Sequence, residues 1–288
     1  MTSPTDFFSM PEPDVKRGAG GSPLLVPRGL EGKDIRAPYT GASYMADFLE
    51  DKDHIHRWEM RYLAKAIGQN EDLAALAACE TYSTGLSDAT FGREKSASGR
   101  RLDDIIERAF DRVRIHEKAD HGTAVHGFTE PGAPSGDAIP ERMRPDVAAF
   151  WEVNRREAIE IVATEQFTAN DTTMSAGTFD HLVRIPGHPF FSDPWGKPFY
   201  VIADKKTGRF SPFEWIIQLA SYANGDPYDT STDTRPAWPG EICKDWGLVW
   251  QIGGGTVKLW MIDIALGWEL AQIAAKVRDA HNRTDLAV

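Results

Sequence analysis

Val201-Ile202-Ala203-Asp204-Lys205-Lys206-Thr207-Gly208 is the stretch on which the reading of the fold depends. It is a short apolar run that ends in Asp-x-Lys and is closed by Thr-Gly. Side chains alternate faces along a strand, so Asp204 and Lys206 point one way and Lys205 the other. A carboxylate and an ammonium then stand side by side at a strand end. One can hold a divalent cation while the other orients or activates water. Taken alone, Asp-x-Lys is a frequent chance match, and an ordinary surface strand end carries the same pattern.

A second strand-like run sharpens the pattern. Gly177-Thr178-Phe179-Asp180-His181-Leu182-Val183 puts Asp180 on the face of Thr178 and Leu182. Neighbouring antiparallel strands with an Asp each bring two carboxylates within reach of one cation, and oxygen ligands suit Mg²⁺ or Mn²⁺. The joining segment, residues 186–198, is long and carries four prolines, so the two strands are not joined by a tight hairpin. Downstream, Ser211-Pro212-Phe213-Glu214 has the form of a capping box with Pro at the first helical position. On that helix Gln218 and Tyr222 are four apart and share a face. Upstream, Gly122-Thr123-Ala124-Val125-His126 lies in a short helical segment, with Glu130 one turn later. A lone histidine is more often a hydrogen-bonded structural residue. The spacing is not His-Glu-x-x-His, so a zinc hydrolase is not indicated.

The rest of the chain falls around these motifs. Residues 1–40 are rich in Pro and Gly and read as a flexible N-terminal arm. Helical spacing follows at 43–68, 71–82 and about 100–116, with a Ser/Gly/Thr-rich loop at 83–99. Arg101, Arg108 and Arg112 on the last helix alternate with Asp104, Glu107 and Asp111, the mark of a solvated face. Beyond Pro140 a helical pattern runs through Val147, Phe150, Trp151, Val153, Ile159 and Val162. Residues 175–185, 199–206, 246–252 and 257–262 read as strands, with a hairpin turn at Gly253-Gly254-Gly255, and 263–280 as a closing helix. The expected organisation is an arm at 1–40, a helical region at 41–115 and a mixed α/β core (α+β in its order of elements) at 116–288.

Composition narrows the function classes. The 288 residues are 41% apolar and 26% charged, enough for an ordinary core. No apolar run approaches the roughly 20 residues that span a bilayer, and residues 1–27 do not have the form of a secretory signal. A membrane partner is therefore not expected. The balance of 32 Lys and Arg against 43 Asp and Glu gives a net charge of −11, the wrong sign for a protein that coats nucleic acid. It leaves room for an enzyme with a local groove, because metal-binding carboxylates count as negative until the ion arrives. Cys79 and Cys243 belong to no C-x-x-C pattern and are expected as reduced core thiols in a cytoplasm. Two cysteines cannot hold an iron–sulfur cluster.

In chain order the motifs are G-T-A-V-H, G-T-F-D, D-K-K-T-G and Q-L-A-S-Y, over about 100 residues. The series resembles the RecB-type nucleases of the PD-(D/E)xK superfamily, especially phage-encoded relatives of the CRISPR-associated RecB-like exonucleases. Those relatives often carry four cysteines for a cluster, and this chain departs from them there. The resemblance covers roughly residues 115–275. It implies a restriction-endonuclease-like core, a central mixed sheet flanked by helices, with an N-terminal helical region. It implies a Mg²⁺- or Mn²⁺-dependent deoxyribonuclease, with exonuclease favoured over endonuclease, acting in phage DNA recombination, repair or processing in the host cytoplasm. His126, Asp180 and Asp204 would bind the metal, with the Lys205 carbonyl as a further ligand. Lys206 would position the attacking water, and Gln218 and Tyr222 would brace the site. Glu165 would be the acidic residue that opens the first core strand. DNA is the expected partner, with a single-strand annealing or recombination protein beside it. The competing expectation is a nuclease fold without catalysis, serving as a nucleic-acid-binding or assembly subunit.

Overall fold

Val201–Lys206 forms an inner strand, β6, buried at five of its six positions. Its neighbours build a seven-stranded mixed sheet in the order β7 (Asp226–Pro227), β4 (Glu160–Asn170), β5 (Ser175–Arg184), β6, β8 (Trp246–Gly253), β9 (Thr256–Asp263), with β3 (Thr40–Gly41) added on β5. β5 and β6 are antiparallel, and β6 and β8 are parallel. A parallel pair needs a long crossover, and α6 (Pro212–Ala223) supplies it. Between β8 and β9 the turn is two residues long. Gly254 and Gly255 sit there at φ +61° and +74°, the left-handed pair that a tight hairpin requires.

The computed structural model describes residues 14–18, 20–79, 97–113, 117–192, 196 and 198–283. They fall into two units, residues 1–50 with 124–288, and residues 51–123. The second unit contains α1 (Asp53–Gln69), α2 (residues 71–79) and α3 (Ala97–Arg112), and α4 (Glu117–Phe128) begins in it. Its core gathers Ala66, Leu73, Ile105 and Ala109. The first helix starts at Asp53 and not at 43, because residues 42–48 fold as two 3₁₀ turns. The loop expected at 83–99 and the end of the helix expected at 71–82 fall largely outside the described residues.

The first unit follows the two-residue alternation of its strands. Val201 and Ala203, with Leu248 and Trp250, pack on Val147, Phe150 and Val153 of α5 (Arg144–Arg156). Leu182, Ile202 and Val249 face the other way, onto Trp215, Leu219 and Tyr222 of α6. The sheet is thus covered on both faces by helices. α7 (Ile264–His281) packs over α6 through Gly267, where an added Cβ would lie 2.1 Å from the Ile216 carbonyl oxygen.

Three expectations are corrected. The helical pattern drawn through Ile159 and Val162 ends at Arg156; Ala158 takes φ +52° and the chain continues as β4. Ile159 and Val162 are three apart, a spacing that fits a helix as well, and periodicity over so few residues does not separate the two. Residues 14–40 are no free arm. They pair as β1 (Leu24–Leu25) with β2 (Ala37–Pro38), bury Leu25 and Tyr39 against Phe167 and Tyr228, and tie Arg36 to Asp233. Residues 1–13 lie outside the described set. Cys79 is exposed, whereas Cys243 is buried as expected. Among the described residues no helix is long and apolar enough to cross a membrane.

The Gly267 contact leaves no room for a methyl group against a backbone carbonyl. Gly267→Ala should destabilise the chain by about 3 kcal/mol, since overpacking here must move a whole helix. Urea unfolding should show a lower midpoint at unchanged slope.

Candidate functional site

The site is a fork between two strands. β5 and β6 pair through Val183↔Val201, Leu182↔Ile202 and His181↔Ala203, and there the ladder stops. One step further, Asp180 and Asp204 face each other across the opening. On that edge β5 is paired again only at Ser175 and Ala176, by β3, while β4 covers its other edge throughout. The Asp180 carboxylate takes the place of the missing ladder carbonyl. Its Oδ2 accepts the Lys205 backbone N–H at 2.6 Å, which fixes the carboxylate inside the fork.

A chain of polar contacts leads away along the α6 face. Lys206 Nζ lies 2.7 Å from Asp204 Oδ2 and donates to Gln218 Oε1 at 2.9 Å. Gln218 Nε2 in turn donates to the Tyr222 hydroxyl at 3.2 Å. Tyr222 closes against Gly177, where a Cβ would stand 3.2 Å from its ring. On β4, the flanking pairs Thr164↔His181 and Gln166↔Phe179 put Glu165 level with Asp180. Glu165 takes φ +48°, an uncommon backbone conformation for a residue other than glycine, within β4.

Lys205 turns to the opposite, buried face. It is 0% exposed, and its ammonium pairs with Glu130 and donates to the His126 carbonyl at 3.3 Å. The Phe150 ring lies beneath it at 6.0 Å. This links the end of α4 to β6 and leaves His126 Nδ1 3.5 Å from Asp180 Oδ2. Removing one partner of a buried pair leaves an uncompensated charge. Glu130→Ala should therefore cost about 3–5 kcal/mol, and the double change Glu130→Leu with Lys205→Met should recover most of it in the same melting series.

Burial sets the charge state of the fork. It raises the Asp180 carboxyl, with Lys205 pulling the other way. Burial and the neighbouring Asp180 push Asp204 up to about 6, and partial desolvation beside Asp180 carries Glu165 to about 7. Burial also works against the Lys206 ammonium, but Asp204 outweighs it and its pKa is raised. His126 is brought down to about 4 by burial and the Lys205 charge. At pH 7 it is a neutral ring with a free lone pair, so its contact with Asp180 is no ion pair. A carboxyl with a raised folded-state pKa favours folding below its unfolded value, and that contribution is lost as pH rises through the folded value. The metal-free chain should therefore lose stability between about pH 4 and pH 6. Asp204→Asn, which removes the charge and keeps the shape, should melt higher than wild type at pH 8, by about 1–3 kcal/mol. At pH 4 the two should coincide, and a gap independent of pH would refute the crowding of charge.

The structure brings Asp180, Asp204, Lys206, Gln218 and Tyr222 into one continuous array and sets His126 beside Asp180. Among the described residues, however, no three His, Cys, Asp or Glu side chains stand together as a metal-ligand set; Lys206 is the cation on Asp204. The two desolvated carboxylates, which repel each other, suit a hard divalent ion, whereas the neutral imidazole nitrogen beside them is a donor for softer ones. The buried Lys205–Glu130 clamp went unassigned in the sequence, although alternation from Val201 and Ala203 already places Lys205 on the buried face. No protein-family model matches the chain, and no curated protein matches it.

Proposed function

We propose that this chain is a metal-dependent deoxyribonuclease with a RecB-type, PD-(D/E)xK core. The observation that carries the reading is the fork itself. Two carboxylates from adjacent strands and the lysine two residues on from the second of them meet where the sheet opens. A scaffold gains nothing from desolvated like charges held together at a cost to stability; such groups are characteristic of functional sites.

Hydrolysis of a phosphodiester forms a bond from water oxygen to phosphorus and breaks the bond to the leaving 3′ oxygen, with negative charge gathering on the phosphoryl oxygens. Asp180 and Asp204, with His126 beside them, are the residues that would hold Mg²⁺ or Mn²⁺. The bound ion would supply charge neutralisation and a water of lowered pKa. Lys206 presents its ammonium at the same carboxylate and contacts the attacking water or the phosphate. Gln218 and Tyr222 keep that ammonium in place from α6. The Lys205 N–H holds Asp180 with its other oxygen free. Exonucleolytic action on phage DNA during recombination or repair, next to a single-strand annealing protein, remains part of the proposal.

The test is degradation of end-labelled linear DNA against a closed circle in Mg²⁺, Mn²⁺ and EDTA. Metal-dependent loss of the linear DNA alone is expected, and Asp204→Ala should lower the rate by at least about 10²–10³. Cutting of the circle would make the protein an endonuclease. Equal rates for Asp204→Ala and wild type, or no cutting by either, would favour the non-catalytic nucleic-acid-binding or assembly subunit.

A further inference from the structure

A cleft of about 720 Å³ opens beside the fork. It shares Tyr222 with the polar chain, and it includes Thr178, two residues before Asp180. The net charge of the chain is −11, yet none of the residues lining this cleft is an Asp or a Glu. Its basic groups are Arg17, Arg278 and His281. Arg278 braces the floor through the carbonyl of Thr173 at 2.7 Å and pairs with Asp279. Arg17, at the rim, donates to the Gly21 carbonyl at 2.8 Å and has no carboxylate partner among the described residues. Tyr44 is 64% exposed at the same rim. Its ring rests on Gly41, where a Cβ would come within 2.8 Å of it, so the ring is held from behind and open in front.

We propose that this cleft is the track by which a single strand of nucleic acid reaches the fork, with a base stacked on Tyr44 and a phosphate beside Arg17. The inference rests on the nuclease reading and narrows it to single-stranded substrate, or to a frayed end. A positive groove with an aromatic platform is the general means of holding a single strand without regard to sequence. The size agrees. About 720 Å³ lies in the range that encloses one small organic molecule, which is one or two nucleotides. The position agrees as well, because Gly177 and Thr178, which line the cleft, run directly into Asp180 on β5.

The experiment uses the full chain and two fluorescent probes, an oligo(dT) single strand and a blunt duplex of equal length, with anisotropy read in EDTA so that neither is cut. The single strand should bind at least about tenfold tighter than the duplex. Tyr44→Ala should weaken single-strand binding about tenfold. Arg17→Ala should lower the slope of log affinity against log salt by about one. Gly41→Ala keeps Tyr44 but displaces its ring, and should also weaken the single strand. Circular dichroism and melting establish that each variant is folded. Duplex binding as tight as single-strand binding, or folded Tyr44→Ala and Arg17→Ala that bind like wild type, overturns the track. If the wild type still cuts DNA with metal in that case, the nuclease reading stands without it. Single-strand binding that depends on Tyr44 and Arg17, with no metal-dependent cutting, upholds the track and overturns the nuclease reading.

Discussion

The hydrogen bond from the Lys205 N–H to the Asp180 carboxylate is the constraint on which the rest of the site depends. Where β5 and β6 part, one backbone donor is left without its ladder partner, and a buried unpaired N–H is costly. Asp180 satisfies it, and the same bond orients the carboxylate toward Asp204. The parting of the strands and the placement of the acid are therefore one event. Alternation then divides the two lysines that follow. Lys205 goes under the sheet and ties down α4, while Lys206 stays above it beside Asp204 and α6. A one-residue slip would exchange the two, burying the ammonium now beside Asp204 and lifting the one that ties down α4.

The layout of charge follows from that division. Acidic groups at the fork are crowded and desolvated, and each raises its neighbour. The cleft beside them carries none. The basic groups Arg17, Arg278 and His281 line that cleft, apart from the carboxylates of the fork. A net charge of −11 does not by itself exclude a polyanionic partner, because the field at one site is local and screened within about 8–10 Å.

Much of this was legible in the sequence. The period-two pattern of residues 201–206 gave the faces of Asp204, Lys205 and Lys206. Gln218 and Tyr222 follow from helical spacing after a well-marked N-terminus, and the glycine pair at 254–255 marked the hairpin. What stayed hidden depends on contacts between distant segments. β4 was lost because Ala158, a residue with no special claim to positive φ, breaks the helix before it. Residues 14–40 looked like a free arm because Pro and Gly say only that regular structure is absent, and their anchors are remote: Asp233 for Arg36, and Tyr228 for the Val26 N–H. The convergence of His126 on Asp180 likewise requires the buried clamp, which joins residues 75 apart in the chain.

The two-residue strand β3 has a consequence for assembly. On its fork side β5 has no continuous neighbouring strand: Thr40 and Gly41 pair with one end and β6 with the other, and residues 177–180 between them pair with no strand on that side, where the Tyr222 ring packs on Gly177 instead. Bare edges invite the edges of other chains. Thr40 and Gly41 take up one end of that edge, so fewer of its backbone groups are left for another strand to pair with. Because Leu25 and Tyr39, just before that pair, are core residues packed on Phe167 and Tyr228, removing the segment would open the end of β5 and the core beside it together.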